Sequence, residues 1–154
     1  MDKDTYLKSR VDNQMAWFSK KSGWNQKRYK IIKTVEVSLA VIIPFLAGLS
    51  GSANSNNGLG WTSVAIGILG VFIAIGEAIQ SLYKFHENWI QYRMTKEVLQ
   101  HEKMLFLTNT GAYNKKPEDS FKIFVERIEN ILAQETNRWK NYNSNQDKEE
   151  GEAR

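Results

Sequence analysis

Two carboxylates lie at the ends of a long neutral stretch of the chain. Glu36 comes directly before residues 37–76, Glu77 comes directly after them, and no Asp, Glu, Lys, Arg or His lies between. Acidic side chains in this position have two ordinary uses. They can line an ion pathway, because a charge at membrane depth marks a functional site. They can also anchor the helices at the interface, with Glu36 pairing with Lys33 or Lys30 and Glu77 pairing with Lys84. The sequence leaves both uses open.

The remaining residues form no recognisable catalytic or metal-binding pattern. His86 and His101 are each followed by Glu, but neither HENWI nor HEKML has the His-Glu-x-x-His spacing of a zinc site. The chain has no cysteine, and no nucleophile is spaced with a base. We therefore expect no enzymatic activity, metal or cofactor. The basic and aromatic stretch KKSGWNQKRYK (residues 20–30) precedes an apolar segment, so it indicates attraction to anionic headgroups rather than to nucleic acid.

The neutral stretch divides into two apolar segments separated by small polar residues. The run SGSANSNNG (residues 50–58) favours a turn. A membrane-spanning helix needs about 20 largely apolar residues. Residues 59–80 meet that length, and residues 32–51 approach it when Lys33 and Glu36 are included. We therefore predict a hairpin of two transmembrane helices in a lipid bilayer. The alternative is a hairpin buried in a soluble protein, but the rest of the chain has few apolar residues with which to cover it.

The distribution of basic residues predicts the orientation of this hairpin. All 21 Lys and Arg lie outside residues 37–76, on both sides of the stretch, and the connecting loop has none. Positive charge stays on the cytoplasmic side, so both termini are expected there. Trp61 would lie at the outer interface and Tyr83 near the inner one. At about 1.5 Å per residue, Glu36 and Glu77 would both lie about 22–26 Å from the outer turn, at a similar depth.

Small residues recur at helical spacing in both segments. Lipid gives helices no hydrophobic reason to associate, so contact faces rely on small side chains that let backbones approach. We therefore predict that these residues form the helix-packing face. They are Ala40, Pro44 and Ala47 in the first segment and Ser63, Gly67, Gly70, Ala74 and Ala78 in the second. Pro44 should also bend its helix, because proline cannot donate a backbone hydrogen bond.

The polar flanks continue the helical pattern, so the predicted fold is all-α. It is a transmembrane hairpin with long cytoplasmic helical extensions, and a third cytoplasmic helix packs on them. Apolar residues at helical spacing predict the packing face of this third helix, which consists of Phe121, Phe124, Val125, Ile128, Ile131 and Leu132. We expect residues 1–140 to form a single domain. Its segments, with the tail, are a cytoplasmic helix (5–30), a first transmembrane helix (about 32–51), an outer loop (52–58), a second transmembrane helix (about 59–80), a cytoplasmic helix continuing it (81–108), a loop (109–116), a third cytoplasmic helix (117–140) and a disordered tail (141–154).

Several short motifs follow one another in a characteristic order. They are Trp17 with KKS and Asn25, Pro44, Glu77, NW-x-x-YR-x-x-x-E-x-L from Asn88, G-x-Y from Gly111, and F-V-E-R-x-E-x-x-L-x-x-E-x-x-x-W from Phe124 to Trp139. Over about residues 5–140 the chain resembles the SLATT superfamily (SMODS- and SLOG-associating two-transmembrane effectors), in particular a bacterial branch of unknown function. The resemblance implies an effector of bacterial conflict systems that assembles in the inner membrane into a homo-oligomeric pore.

The resemblance also implies a trigger. Family members occur beside nucleotide-second-messenger synthases or nucleotide-sensing domains. We expect no fused sensor in this chain, so the signal would come from a separate nucleotide-sensing or nucleotide-synthesising protein. In such a pore Glu77, with or without Glu36, would form an acidic ring that favours cations. The competing hypothesis is a membrane-tethered interaction or sensor module, in which the cytoplasmic helices bind a partner and the hairpin only localises them.

Positions that match the resemblance imply contacts within the cytoplasmic helices. Arg93 would pair with a glutamate either one turn along its own helix or on the third helix. Aromatic side chains would pack between these helices, and packing is a simpler interpretation of the whole set than a binding site. The set consists of Arg93 with Glu97, Glu126 and Glu135, and of Trp89, Tyr92 and Trp139.

Overall fold

Helices account for nearly all of the described backbone. In this computed structural model the backbone is described for residues 2–52 and 59–152, and the side chains for residues 2–48 and 61–138. No strand occurs in those backbone ranges. The elements are α1 (Lys3–Tyr6), a π-helical segment (Leu7–Asp12), α2 (Asn13–Ser52), α3 (Leu59–Tyr83), α4 (Phe85–Leu107), a 3₁₀ turn (Gly111–Tyr113) and α5 (Pro117–Glu152). The prediction of an all-α fold with two long apolar helices is confirmed.

The chain divides into two compact units. The first unit combines Met1–Lys20 with Gln91–Arg154, and the second unit is Lys21–Ile90. The first unit therefore contains α1, the beginning of α2, most of α4 and all of α5. The second unit contains the rest of α2 and all of α3. Pro44 lies inside α2 without ending it.

An aromatic and aliphatic core holds the first unit together. Phe106 stacks on Phe124 with ring centroids 4.2 Å apart, and Tyr113 meets Phe106 edge-on at 5.6 Å. Phe124 and Ile128 are fully buried, so α5 presents its apolar face to this core as the 3.6-residue spacing predicted. The buried core residues are Tyr6, Leu7, Val11, Phe18, Leu99, Phe106, Tyr113, Phe124, Ile128 and Leu132.

A break at Lys84 separates α3 from α4, although the sequence predicted one continuous helix there. Lys84 has a φ of +43°, which side-chain-bearing residues adopt rarely and at some cost. The break leaves the Tyr83 carbonyl to accept a hydrogen bond from the Asn88 side-chain amide at 3.0 Å. Backbone hydrogen bonds continue on both sides of the break. The Lys84 N–H donates to the Gln80 carbonyl, and the Asn88 N–H donates to the Lys84 carbonyl. Neither Gly nor Pro lies at the break, so it could not be predicted from the sequence.

The loop between α4 and α5 depends on backbone conformations with positive φ. Asn109 has a φ of +51° and Gly111 a φ of +62°. The Ser120 hydroxyl donates to the Tyr113 carbonyl at 2.8 Å, which ties the loop to the first turn of α5. The G-x-Y motif thus has a structural meaning, because Gly111 allows the turn that places Tyr113 in the core.

Substituting Gly111 with alanine should destabilise the first unit by about 1 kcal/mol. No heavy atom lies within 4 Å of a Cβ built at Gly111, so the cost comes from the backbone conformation alone. Gly23→Ala is the matched control. Gly23 is helical and equally open around its Cβ, so alanine there should stabilise the protein by a similar amount. Thermal unfolding in detergent would check both, and shifts of the same sign would contradict this account of Gly111.

The last helix is longer than predicted. The sequence placed its end near residue 140 and a disordered tail after it, whereas α5 continues to Glu152. Residues 141–150 contain neither Gly nor Pro, and Gln, Lys and Glu in this stretch are good helix formers, so local propensity does not oppose the extension. Most of the predicted outer loop, residues 53–58, lies outside the described residues.

Candidate functional site

A polar cluster joins α2 and α3 in the second unit. We call Lys33, Glu36, Glu77 and Gln80 the polar cluster. Lys33 and Glu36 are on α2 and the other two residues are on α3. Lys33 Nζ donates to Glu77 Oε1 at 2.7 Å and lies 3.1 Å from Glu36 Oε2. Gln80 Nε2 donates to Glu36 Oε1 at 2.7 Å. The structure therefore brings the two predicted carboxylates together through one lysine.

The two carboxylates have different surroundings. The Glu36 side chain is 7% exposed, whereas the Glu77 side chain is 58% exposed. Glu36 Oε2 is buried and makes no hydrogen bond of good geometry, so its compensation is the nearby Lys33 charge. A buried carboxylate is costly unless such a charge and hydrogen bonds accompany it. Glu36 therefore acts between the helices, and Glu77 is the carboxylate open to an outside partner.

Gly76 makes room for the Glu36 carboxylate. A Cβ built at position 76 would lie only 2.7 Å from Glu36 Oε1 and 3.4 Å from its Cγ. The glycine thus lets α3 approach the buried end of Glu36. Neither Gly76 nor Gln80 was predicted from the sequence. The signal for Gln80 was an amide side chain one turn beyond the last glycine of an apolar segment.

Glu77 pairs with Lys33 on the other helix, whereas the sequence suggested Lys84 as its partner. Lys33 was expected as a partner of Glu36 alone, and it contacts both carboxylates. The reason is the antiparallel approach of α2 and α3, which places Glu77 opposite Lys33. These contacts identify the specific partners in the interpretation of the cluster as an anchor.

The predicted helix-packing stripe does not form the contact between α2 and α3 of one chain, and it stays a prediction for contacts with other helices. The structure exposes every predicted stripe residue, and no heavy atom lies within 4 Å of a Cβ built at Gly67 or Gly70. α2 and α3 contact each other through a different face of each helix. The buried Glu36 and its contact with Gly76 determine which faces these are. The exposed residues are Ala40, Pro44 and Ala47 on α2 and Ser63, Gly67, Gly70, Ala74 and Ala78 on α3.

The covered faces follow the spacing of a packed helix pair. Partly or fully buried positions recur mainly at steps of three or four residues, which is how packed helices interlock. On α2 from residue 36 onward they are Glu36, Leu39, Ile43 and Leu46, and on α3 they are Thr62, Ala65, Ile66, Leu69, Ile73, Gly76 and Gln80. The exposed small residues of α3 lie to one side of this face, and Glu77 follows Ala74 by three residues among them.

A family model described as a protein of unknown function (DUF4231) matches residues 13–120, more than half of the chain. The chain belongs to the DUF4231 family. Comparison with curated proteins and with solved structures finds no match. The DUF4231 match includes the whole polar cluster and ends in the first turn of α5. Most of α5, with Glu129 and Glu135, lies beyond it.

The first unit of this DUF4231 protein is held by ion pairs other than the predicted one. Arg93 is exposed and forms no ion pair among the described side chains, and Glu97 and Glu126 are exposed as well. The ion pairs formed instead are Arg10–Glu129, Lys103–Asp12 and Arg127–Glu102. Arg93 and Glu97 both lie on the outward face of α4, one turn apart, and the sequence could not show which face the core would cover.

Glu135 does fasten α5 to α4, but through neutral partners. It accepts hydrogen bonds from Gln91 Nε2 at 2.9 Å and from Thr95 Oγ1 at 3.1 Å. Tyr92 packs against α2, with its ring 5.7 Å from that of Trp17 and 6.1 Å from that of Phe18.

Trp89 contributes mainly through its backbone carbonyl, which accepts a bond from the Ser22 hydroxyl at 3.2 Å. Its ring lies 5.6 Å from that of His86. The side chain of Trp139 lies outside the described residues.

Glu129 forms the best-connected pair of the first unit. Arg10 donates to its two oxygens at 2.9 and 2.8 Å, and the Tyr6 hydroxyl donates at 3.0 Å. The hydrogen bonds from Arg10 hold the pKa of the Glu129 carboxyl below its ordinary value. Burial raises the pKa of Tyr6, and its bond to Glu129 raises it further. Sequence analysis missed this group, since Tyr6 and Arg10 meet Glu129 only in the folded unit.

The pair should make the first unit sensitive to acid. Because folding depresses the pKa of Glu129, its stabilising effect is present above pH 4.5, its ordinary value, and is lost as pH falls through the lower folded value. Both side chains are about 40% exposed, so we expect no more than about 1 kcal/mol. Thermal unfolding of the wild type and Glu129→Gln should differ at pH 7, and the difference should shrink as the pH falls below 4.5 and through the lower folded pKa. A difference that stays constant over the whole acid range would contradict this role.

Proposed function

We propose that this DUF4231 protein is a membrane-embedded, pore-forming effector that acts as a homo-oligomer. The observation that carries the proposal is the outward face of α3, where a stripe of small residues and the exposed Glu77 lie side by side. We place the protein in the bacterial inner membrane with both termini in the cytoplasm. That placement follows from the basic residues on both sides of the hairpin and from the resemblance to the SLATT superfamily.

The exposed apolar surface of α2 and α3 supports the membrane placement. Both helices are long and apolar enough to span a bilayer, and almost none of either apolar stretch is buried. Val41, Phe45 and Val64 are each more than 60% exposed. A soluble protein rarely leaves so large an apolar surface uncovered, because it favours association or aggregation in water. The alternative of a hairpin buried in a soluble core lacks the burial that it requires.

The small residues on α3 provide a face for a second copy. No heavy atom lies within 4 Å of a Cβ built at Gly67 or Gly70, and small side chains let helix backbones approach closely in lipid. Two helices from one chain cannot enclose an ion pathway, so a pore requires several copies. We therefore infer that α3 of one copy packs through Ser63, Gly67, Gly70 and Ala74 against a neighbouring copy.

The polar cluster would give such a pore a preference for cations. Each copy contributes one positive charge from Lys33 and two negative charges from Glu36 and Glu77, which leaves an excess of negative charge. A ring of carboxylates attracts cations and excludes anions. Glu36 is enclosed between the helices, so in this proposal the ring consists of Glu77 alone.

The trigger and the biological role rest on the resemblance. SLATT-like effectors are associated with nucleotide signalling in bacterial conflict systems, so we infer a role in antiviral defence. A separate nucleotide-sensing or nucleotide-synthesising protein would supply the signal to the cytoplasmic helices.

A second candidate function is a membrane-tethered interaction module. The outward face of α4 favours it, because Met94, Val98 and Met104 are exposed there beside Arg93 and Glu97. Such a face could bind a partner while the hairpin only holds the protein at the membrane.

Ion release from proteoliposomes separates the two functions. The wild-type protein should release potassium, if necessary after addition of the partner or its nucleotide. A chimera in which an unrelated transmembrane hairpin replaces residues 32–80 should release none. Release by the chimera equal to the wild type would contradict a pore built from this hairpin, and activity of the chimera in cells would favour the tether.

A further inference from the structure

An exposed cluster of aromatic and basic side chains lies at the cytoplasmic end of the hairpin. We call Trp24, Arg28, Tyr83 and Phe85 the aromatic–basic surface. The Trp24 and Phe85 rings meet edge-on at 5.9 Å, and the Tyr83 and Phe85 rings stack at 5.4 Å. The Arg28 guanidinium lies 5.0 Å from the centre of the Trp24 ring. Trp24 is 51% exposed and Tyr83 63% exposed, so both rings are held in place while remaining open to a partner.

Positive charge around this surface is largely uncompensated. Residues 21–35 contain no Asp or Glu, and Lys33 near the end of this stretch is paired within the polar cluster. Lys27, Arg28 and Lys30 are all exposed, and none of them forms an ion pair among the described side chains. The nearest acidic residue along the start of α4 is Glu87, and Lys84 precedes it. The surface therefore attracts anions.

The position of this surface along the helices matches the headgroup layer. Trp24 precedes Lys33 by nine residues and Tyr83 follows Glu77 by six, so both lie about 9–14 Å from the polar cluster, on its cytoplasmic side. The headgroup region occupies roughly 5–8 Å on each side of the hydrocarbon core. The polar cluster lies about 22–26 Å from the outer turn and the hydrocarbon core is about 30 Å thick, so the cluster lies about 4–8 Å inside the cytoplasmic edge of the core. The aromatic–basic surface therefore lies about 1–10 Å beyond that edge, among the headgroups.

We propose that the aromatic–basic surface binds the phosphate of an anionic phospholipid. Arginine matches phosphate geometry with paired donors, and nearby lysines add attraction to an anionic leaflet. Tryptophan and tyrosine rings favour the boundary between acyl chains and headgroups. The inference rests on the membrane placement proposed above, and it adds a specific lipid class and a specific site.

Apolar neighbours favour a lipid over a nucleic acid as the occupant. Ile31 and Val35 continue the exposed face of α2 beyond Arg28, and Leu82 is exposed beside Tyr83. Acyl chains cover such side chains, whereas a nucleic acid would leave them in water. One surface therefore offers both a phosphate contact and an apolar contact, which is the composition of a phospholipid.

Lipid retention tests the proposal directly. The full-length protein is reconstituted in vesicles with equal amounts of phosphatidylcholine and phosphatidylglycerol, extracted in mild detergent, and its retained lipids are measured by mass spectrometry. One basic residue near an anionic surface changes partitioning by about fivefold. We therefore expect the wild type to retain phosphatidylglycerol at least about fivefold over phosphatidylcholine. The triple variant Lys27→Gln, Arg28→Gln, Lys30→Gln should lose that preference.

A matched variant and two further measurements make the outcomes distinct. Lys115→Gln, Lys116→Gln, Lys122→Gln removes the same charge from exposed positions of the first unit and should retain the preference. Equal retention of both lipids by the wild type, or an unchanged preference in the first triple variant, would overturn the proposal. Displacement of phosphatidylglycerol by a single-stranded RNA oligonucleotide would also overturn it and assign the surface to nucleic acid. Release of the protein by alkaline carbonate would instead contradict the membrane placement.

Discussion

Replacing Gly76 with leucine should disrupt the contact between α2 and α3. A Cβ at this position would already lie 2.7 Å from Glu36 Oε1, and the larger side chain also meets the body of Glu36. The Glu36 side chain is 7% exposed and is held by Gln80 and Lys33, so it cannot move aside without losing those partners. Overpacking and the lost hydrogen bond together should cost about 3 kcal/mol.

Distances between spin labels would measure this effect. The chain has no cysteine, so single cysteines at the exposed positions Thr34 and Ala78 can be labelled without a background. In protein diluted with unlabelled copies, the wild type should give a narrow distance distribution and Gly76→Leu a broad one. Gly70→Leu is the control, because no heavy atom lies within 4 Å of its Cβ position and the hairpin should keep its geometry.

A second substitution tests whether the broadening caused by Gly76→Leu depends on Glu36. In the Glu36→Ala background, the space that the carboxylate occupied becomes available, so Gly76→Leu should broaden the distribution much less. If Gly76→Leu left the wild-type distribution unchanged, or broadened it equally in both backgrounds, the Glu36–Gly76 contact would not determine how the helices meet.

Replacing Glu77 with glutamine should remove most of the cation preference of the proposed pore. The substitution leaves Lys33 opposite Glu36 and removes the excess negative charge of each copy. Two unit charges about 8 Å apart interact by about 2 kcal/mol at an effective dielectric constant of about 20. We therefore expect the ratio of potassium to chloride permeability in planar bilayers to fall by about tenfold or more.

Glu97→Gln provides the control for this measurement. Glu97 is an exposed carboxylate on α4, outside the polar cluster, so its neutralisation should leave the permeability ratio unchanged. An unchanged ratio in Glu77→Gln would make Glu77 an anchoring residue only. Loss of assembly in Glu77→Gln would show that its pair with Lys33 is required for the structure, and that outcome would also contradict a role limited to selectivity.

The sequence predicted the helices of this protein better than it predicted which side of each helix is covered. A long stretch without charge can only form apolar helices, and apolar residues at a 3.6-residue spacing predicted the buried side of α5. Both signals are properties of single segments. The covered face of α3 depends instead on a single buried carboxylate on α2 that needs a glycine opposite it, and nothing in α3 alone distinguishes Gly76 from Gly70.

The candidate site shows the same limit. Glu36 and Glu77 were predicted to lie at a similar depth, and Lys33 bridges them. Their different exposure could not be predicted, because it depends on how the two helices are rotated. The Arg93 pairing was wrong for a similar reason, since Arg93 lies on the side of α4 that the core does not cover. The break at Lys84 could not be predicted either, because neither Gly nor Pro lies there.

The number of subunits in the detergent-purified protein tests the central claim most directly. Native mass spectrometry of the wild type should show a discrete complex of about four or more copies, because fewer helices cannot enclose an ion pathway. Gly70→Leu should dissociate that complex while its hairpin remains intact, because it fills the open face of α3. A wild type that is a monomer or dimer even with its trigger present, or a Gly70→Leu variant that assembles like the wild type, would contradict a pore built through this face.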